Sequence, residues 1–182
     1  LFDQSRFSIN GFKWYLDSGS DLIVQNKHIQ TNKLMLRSDQ KNQRIEAGGC
    51  LSDNVNDVLG LSITNLDLED LSKMLNLEVD LAGKVNGSLG LSNPYEALTL
   101  TSNVDILSFF INQEEVGEIH IDATYNDALA AVGLKGTLAY RGMKTLDFSG
   151  SYLTNLEDEN LSLRLDFQNT DISFTNAFMD PD

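Results

Sequence analysis

Residues 98–106 read LTLTSNVDI, and the two-residue alternation of that stretch decides the fold class. Leu98, Leu100, Val104 and Ile106 fall on one side of an extended chain, and Thr99, Thr101, Asn103 and Asp105 fall on the other. A helix would scatter the same residues around its circumference, so the segment reads as a strand with one apolar face. The pattern continues in both directions. Upstream, KVNGSLGL sets Val85, Leu89 and Leu91 against Lys84, Asn86 and Ser88. Downstream, VGEIHIDATY sets Ile119, Ile121, Ala123 and Tyr125 against Glu118, His120, Asp122 and Thr124. Next, Val132, Leu134, Leu138 and Tyr140 oppose Lys135, Thr137 and Arg141, and Leu146, Phe148 and Tyr152 oppose Asp147, Ser149 and Ser151. Finally, Leu161, Leu163, Leu165 and Phe167 oppose Ser162, Arg164, Asp166 and Gln168.

The links SNPYEA, NQEEVG, YNDALA, YRGMK and TNLEDEN are turn-rich and too short for a crossover helix, which predicts an antiparallel meander. The amino-terminal part reads similarly, with strands in RFSINGFKWYLD, DLIVQN, KHIQTNKLMLRS, QRIEAGGCLS and DVLGLSITNL, and with Trp14 and Tyr15 beginning the sheet. LEDLSKML breaks the pattern. It places Leu68, Leu71, Met74 and Leu75 at helical spacing behind acidic first-turn residues and predicts one short helix near 68–76. No fixed-period repeat, low-complexity tract or linker divides the chain, so residues 1–182 read as one all-β domain.

Composition narrows the function. Thirteen Lys and Arg against 27 Asp and Glu leave a formal charge of −14. Nucleic acid is repelled by that balance, and so is polybasic docking on anionic headgroups, which leaves only apolar contact for any membrane role. The apolar runs Ile106–Ile111 and Ala128–Leu134 fall well short of the roughly 18 residues a membrane-crossing helix needs. Beginning at Leu1 and ending in FMDPD without a targeting signal, the chain reads as a piece excised from a longer protein.

Catalytic chemistry is hard to place. The single cysteine, Cys50, has no intramolecular disulfide partner and reads as a small buried hydrophobe. His28 and His120 take polar-face strand positions without a ligand at metal spacing and read as solvated. None of the G-x-S-x-G, H-E-x-x-H, G-x-G-x-x-G or Walker patterns occurs. SGSDL and GKVNGSLG read as a turn and as close strand packing, and Glu157, Asp158 and Glu159 as a solvated hairpin tip lacking the calcium-loop pattern. Paired acids across strands stay open as a glycosidase arrangement. The expectation is a non-enzymatic chain with no cofactor, metal or catalytic residue. Tyr125, Tyr140, Phe148, Tyr152, Phe167 and Phe174 all take the apolar side, which a sandwich core would produce equally well. A membrane barrel asks for strands of about 9–11 residues with aromatic girdles, and these strands read as shorter and less regular.

The order of elements adds a resemblance. FKWYLDSGSDLIVQNKHIQTNKLMLRS, then QRIEAGGCLSDNVNDVLGLSITNLDLEDLSKML, LAGKVNGSLGLSNPYEALTLTSNVDI, GEIHIDATYN and LKGTLAYRGMKTLDFSGSY together resemble the carboxy-terminal region of TamB-like proteins over residues 10 to 178. LSNPYE departs from the pattern, because the family's usual glycine before the Asn-Pro pair is replaced. The resemblance implies a Gram-negative cell-envelope protein, anchored in the inner membrane elsewhere in its full chain and extending through the periplasm. It also implies membership of the wider AsmA-like, bridge-type lipid-transfer group, whose meanders curl into a U-shaped trough with an apolar interior, a β-taco.

Two roles follow from that resemblance. One is passive conduction of phospholipid acyl chains between the inner and outer membranes. The other is a chaperone-like or partner-binding surface that assists outer-membrane barrel insertion or secretion by β-augmentation, with a barrel partner of the TamA or BamA type. The candidate lipid-binding face comprises Leu98, Leu100, Val104 and Ile106; Ile119, Ile121 and Tyr125; Val132, Leu134 and Leu138; Leu146, Phe148 and Tyr152; and Leu161, Leu163, Leu165 and Phe167. An excised sheet also exposes edges, so self-association through them is expected.

Overall fold

An extended chain satisfies its N–H and C=O groups through neighbouring strands, so alternating runs joined by short links pair in sequence order. The computed structural model, which describes residues 5–9, 12–38, 42–155 and 160–168, has this arrangement. Its strands are β1 (Ser5–Ile9), β2 (Phe12–Leu16), β3 (Ile23–Gln25), β4 (His28–Ser38), β5 (Gln43–Leu51), β6 (Val58–Asp67), β7 (Leu81–Ser92), β8 (Thr99–Ile111), β9 (Glu114–Asn126), β10 (Ala131–Tyr140), β11 (Met143–Leu153) and β12 (Leu161–Phe167). One helix, α1 (Leu68–Leu75), and a 3-10 turn (Asp127–Leu129) complete the described elements. The sheet runs in sequence order from β1 to β12, except that β3 pairs with β4 beside the main path. Every pairing is antiparallel, and the two ends do not meet, so the sheet is open.

Two readings of the sequence need correction. RFSINGFKWYLD is two strands, because Ile9 pairs with Phe12 and folds the segment into the β1–β2 hairpin, so the sheet starts before Trp14. The strands are also longer than alternation alone marked out: β7, β8 and β9 have 12, 13 and 13 residues. Asn112 and Gln113 turn the chain with φ of 47° and 71°, so most of NQEEVG is strand and not link. Phe174 and the acidic run Glu157–Glu159 lie outside the described residues.

Register aligns the apolar positions of successive strands. One row passes through Leu16, Leu36, Ile45, Ile63, Gly87, Val104, Ile121, Gly136, Phe148 and Leu165. A second passes through Leu59, Leu91, Leu100, Tyr125, Val132, Tyr152 and Leu161, and a third through Val85, Ile106, Ile119, Leu138, Leu146 and Phe167. On the opposite face the matching positions are Ser62, Ser88, Asn103, Asp122, Lys135, Ser149 and Arg164.

The sheet draws in on its apolar side. A Cβ added at Gly87, Gly136 or Gly150, which lie on the apolar face, would stand 2.6, 2.2 and 2.1 Å from a carbonyl oxygen of the neighbouring strand. At Gly60, Gly90 and Gly133 on the other face the nearest atom is 3.6, 3.2 and 3.6 Å away. Glycines in these places let strands approach on the inner side of a curve. The Phe148 ring lies over Gly136, 2.4 Å from where its Cβ would be. Register shifts in the β6–β7, β7–β8, β8–β9 and β10–β11 pairs lie towards one end of the sheet. There the small core forms, with Ile111, Val116, Leu138 and Leu146 packed against Val79, Leu81, Phe109 and Ile119.

The helix covers the apolar face at the amino-terminal end. Asp67 caps it by accepting from the backbone N–H groups of Glu69 and Asp70. Gln43 of β5, fully buried, donates from Nε2 to Asp70 Oδ2 at 2.7 Å and accepts at Oε1 from the Asp67 N–H at 3.0 Å. Lys84 of β7 donates to Asp67 Oδ2 at 2.5 Å. Leu68 is buried, but Leu75 is 59% exposed and lies outside the stripe expected of it, since the helix ends there at Asn76 in the left-handed region.

Gly136→Ala should cost about 1–3 kcal/mol through overpacking, seen as a fall of roughly 3–10 °C in the thermal midpoint. Gly133→Ala, which meets nothing closer than 3.6 Å, should leave the midpoint within about 2 °C. Gln43→Ala should destabilise by about 1–3 kcal/mol in urea titrations, because Asp67 N–H and Asp70 lose a buried partner.

Candidate functional site: the apolar face of the sheet

An apolar row on one layer becomes a core only when a second layer covers it. Among the described residues only nine apolar side chains are buried: Trp14, Met35, Leu68, Val85, Ile111, Val116, Ala131, Leu138 and Leu146. Of the seventeen residues expected to form the lipid-binding face, Leu138 and Leu146 are buried in the small core. Leu98, Leu100, Val104, Ile106, Ile119, Ile121, Tyr125, Val132, Leu134 and Phe148 are half-buried. Tyr152, Leu161, Leu163, Leu165 and Phe167 are exposed, the four on β12 by about half of their surface. Sixteen of the seventeen lie in strands with their side chains on one face. Leu98 sits just before β8, in the link that follows Pro94.

The face is larger than the sequence set. Register adds Leu59, Leu61 and Ile63 of β6, Leu89 and Leu91 of β7, and Ile45 of β5. Strict alternation in VLGLSI was the available signal for the β6 members. From β5 to β12 the rows cross seven strand steps, about 34 Å at about 4.8 Å per step. Under the helix the face deepens into an apolar cavity of about 180 Å³, lined by Phe7, Trp14, Leu36, Ile45, Leu66, Leu71 and Met74 together with Gln43 and Asp70. Nothing in the sequence brings these residues together.

The polar face carries two clusters that the strand pattern alone did not reveal. Neither histidine is simply solvated. His120 Nδ1 is 2.7 Å from Asp105 Oδ1, and its Nε2 is 3.6 Å from Asp122 Oδ2, which lies 3.7 Å from Lys135 Nζ, while Asp122 Oδ1 accepts from Asn103 Nδ2 at 3.0 Å. The Asp105 hydrogen bond, with the two carboxylate charges, raises the His120 pKa above its ordinary value. Asp122 is held below the usual carboxylate range, chiefly by the Asn103 hydrogen bond.

Cys50 is not a plain buried hydrophobe. Its Sγ donates to Asp57 Oδ2 at 3.3 Å and stands 3.7 Å from the His28 ring nitrogens. Partial burial, then the Asp57 hydrogen bond and charge, push the thiol pKa up, so the group is kept protonated and not activated as a nucleophile. Ser52 and Cys50 together hold the Asp57 carboxyl low. Among the described residues no group of three or more His, Cys, Asp or Glu is arranged to hold a metal ion, and no helix is long and apolar enough to cross a membrane.

Known protein families, curated proteins and solved structures contain no match to this chain.

Because the folded-state pKa of His120 is raised, its stabilising contribution is fully present below the ordinary histidine value of about 6.5 and is lost as pH rises through the raised value. Urea titrations between about pH 5 and 8 should show the native protein losing an increment of stability with rising pH that His120→Asn lacks. Equal pH slopes for the two proteins would contradict the ion-pair account.

Proposed function

We propose that this chain is a TamB-like segment of a periplasm-spanning Gram-negative envelope protein, and that it shelters phospholipid acyl chains along the apolar face of its open sheet. The observation that carries the reading is the pair of in-register apolar rows, Leu100 to Leu161 and Val104 to Leu165, that no second layer buries among the described residues from β8 to β12. At about 0.8 kcal/mol per methylene, exposing a sixteen-carbon chain to water costs on the order of 13 kcal/mol. An apolar wall offsets most of that without any directional bond, so the lining needs hydrophobicity and shape and no catalytic group. Headgroups remain in water beside a polar rim. In that family setting the full-length protein is held in the inner membrane, and its partner is an outer-membrane barrel of the TamA or BamA type.

A second reading rests on β12. Every residue of this strand is exposed, and among the described residues no strand pairs with its outer edge. Such an edge accepts another strand, whether from a second copy or from an outer-membrane protein under assembly.

Incubation with vesicles of phosphatidylethanolamine and phosphatidylglycerol, followed by native mass spectrometry, should recover lipid-bound protein. Leu134→Asp should reduce the bound fraction by about tenfold or more, equivalent to about 1.4 kcal/mol. If lipid occupancy is unchanged by Leu134→Asp while Leu163→Pro on β12 abolishes partner capture, the edge-strand reading replaces the lipid one.

A further inference from the structure

The cavity beneath α1 is chemically different from the open face that leads to it. Its two polar lining residues, Gln43 and Asp70, are bonded to each other at 2.7 Å, and the Gln43 carbonyl is taken by the Asp67 N–H at 3.0 Å. The walls otherwise consist of Phe7, Trp14, Leu36, Ile45, Leu66, Leu71 and Met74. Lining of this kind offers a guest little to hydrogen-bond with, and the acidic side chains Asp67, Glu69 and Asp70 at the helix start repel an anionic headgroup. A dry apolar cavity of about 150 Å³ accepts a molecule the size of benzene, so the 180 Å³ here suits a hydrocarbon piece of roughly six carbons.

Continuity supplies the rest. Ile45 and Leu36 belong both to the cavity wall and to the long row that runs on through Ile63 and Val104 to Leu165. Phe7, 39% exposed on β1, stands at the rim. We infer that the cavity under α1 is a terminal pocket that receives the methyl end of an acyl chain lying on the apolar face, with the chain entering tail first. The inference rests on the lipid reading above, and α1 then marks the closed end of the path within this segment.

The single tryptophan lines this cavity and is only 5% exposed, so its fluorescence reports directly on occupancy. The probe is 1-bromohexane, a headgroup-free chain whose bromine quenches indole on contact. Saturable quenching of Trp14 is expected, together with recovery when palmitate is added. Leu71→Phe, which fills the cavity, should weaken saturation by about tenfold or more, and so should Phe7→Asp at the exposed rim, with far-ultraviolet circular dichroism unchanged. Quenching that is absent, unsaturable or indifferent to both variants overturns the pocket. Saturable quenching that palmitate does not reverse overturns its role as a chain-end site. Loss of the pocket alone, with vesicle lipid still bound in a Leu134-dependent way, leaves the open-face reading standing. Saturable quenching reversed by palmitate, with no Leu134-dependent lipid binding, keeps the pocket and removes the open-face reading.

Discussion

In-register antiparallel pairing is the constraint on which the rest of this molecule depends. Because each strand, β3 apart, pairs with the next along the sheet, the backbone is satisfied within a single layer and no second sheet is needed to complete it. Because side chains alternate, the same pairing gathers Leu59, Ile63, Leu100, Ile121, Leu134 and Leu163 on one face. A shift of one residue at any pairing would send the downstream apolar positions to the polar side. The oily surface thus comes from register, and its availability comes from the lack of a covering layer among the described elements.

Local devices shape that surface. Gly87, Gly136 and Gly150 allow neighbouring backbones to close up on the apolar side, and Phe148 covers the gap that Gly136 leaves. At one end the bulges turn Ile111, Val116, Leu138 and Leu146 into a compact core. At the amino-terminal end α1 is tied down by the Gln43 bridge to Asp70 and Asp67 and by Lys84. Among the seventeen face residues exposure is greatest on β12, where Leu161, Leu163, Leu165 and Phe167 show about half of their surface. A net charge of −14 makes copies of the chain repel one another and contributes nothing to the apolar contact itself.

Much of this was legible in the sequence. Alternation from Lys84 onward marks the carboxy-terminal strands, and the helical spacing of LEDLSKML upstream of it marks the helix to within a residue. Sixteen of the seventeen face residues were assignable because parity along a strand is a local property. What escaped was non-local or depended on turn geometry. Two-residue reversals, as at Asn112–Gln113, hide inside an alternating run, so alternation alone understates strand length and does not separate β1 from β2. The approach of His28 to Cys50 spans 22 positions, and the Gln43–Asp70 bond spans 27. No periodicity encodes either contact, and the cavity beside Trp14 was invisible for the same reason.

An apolar wall available to a guest requires that the face be open to solvent in the free protein. Methyl NMR with a soluble nitroxide tests this directly by comparing relaxation enhancement across the face. Methyls of Leu134, Ile121, Leu161 and Leu163 should be strongly enhanced, with those of Val116 and Leu138 in the small core protected. Uniform protection of all six in the monomer would mean that the face is spent on internal packing, and the reading of an available apolar wall would be wrong.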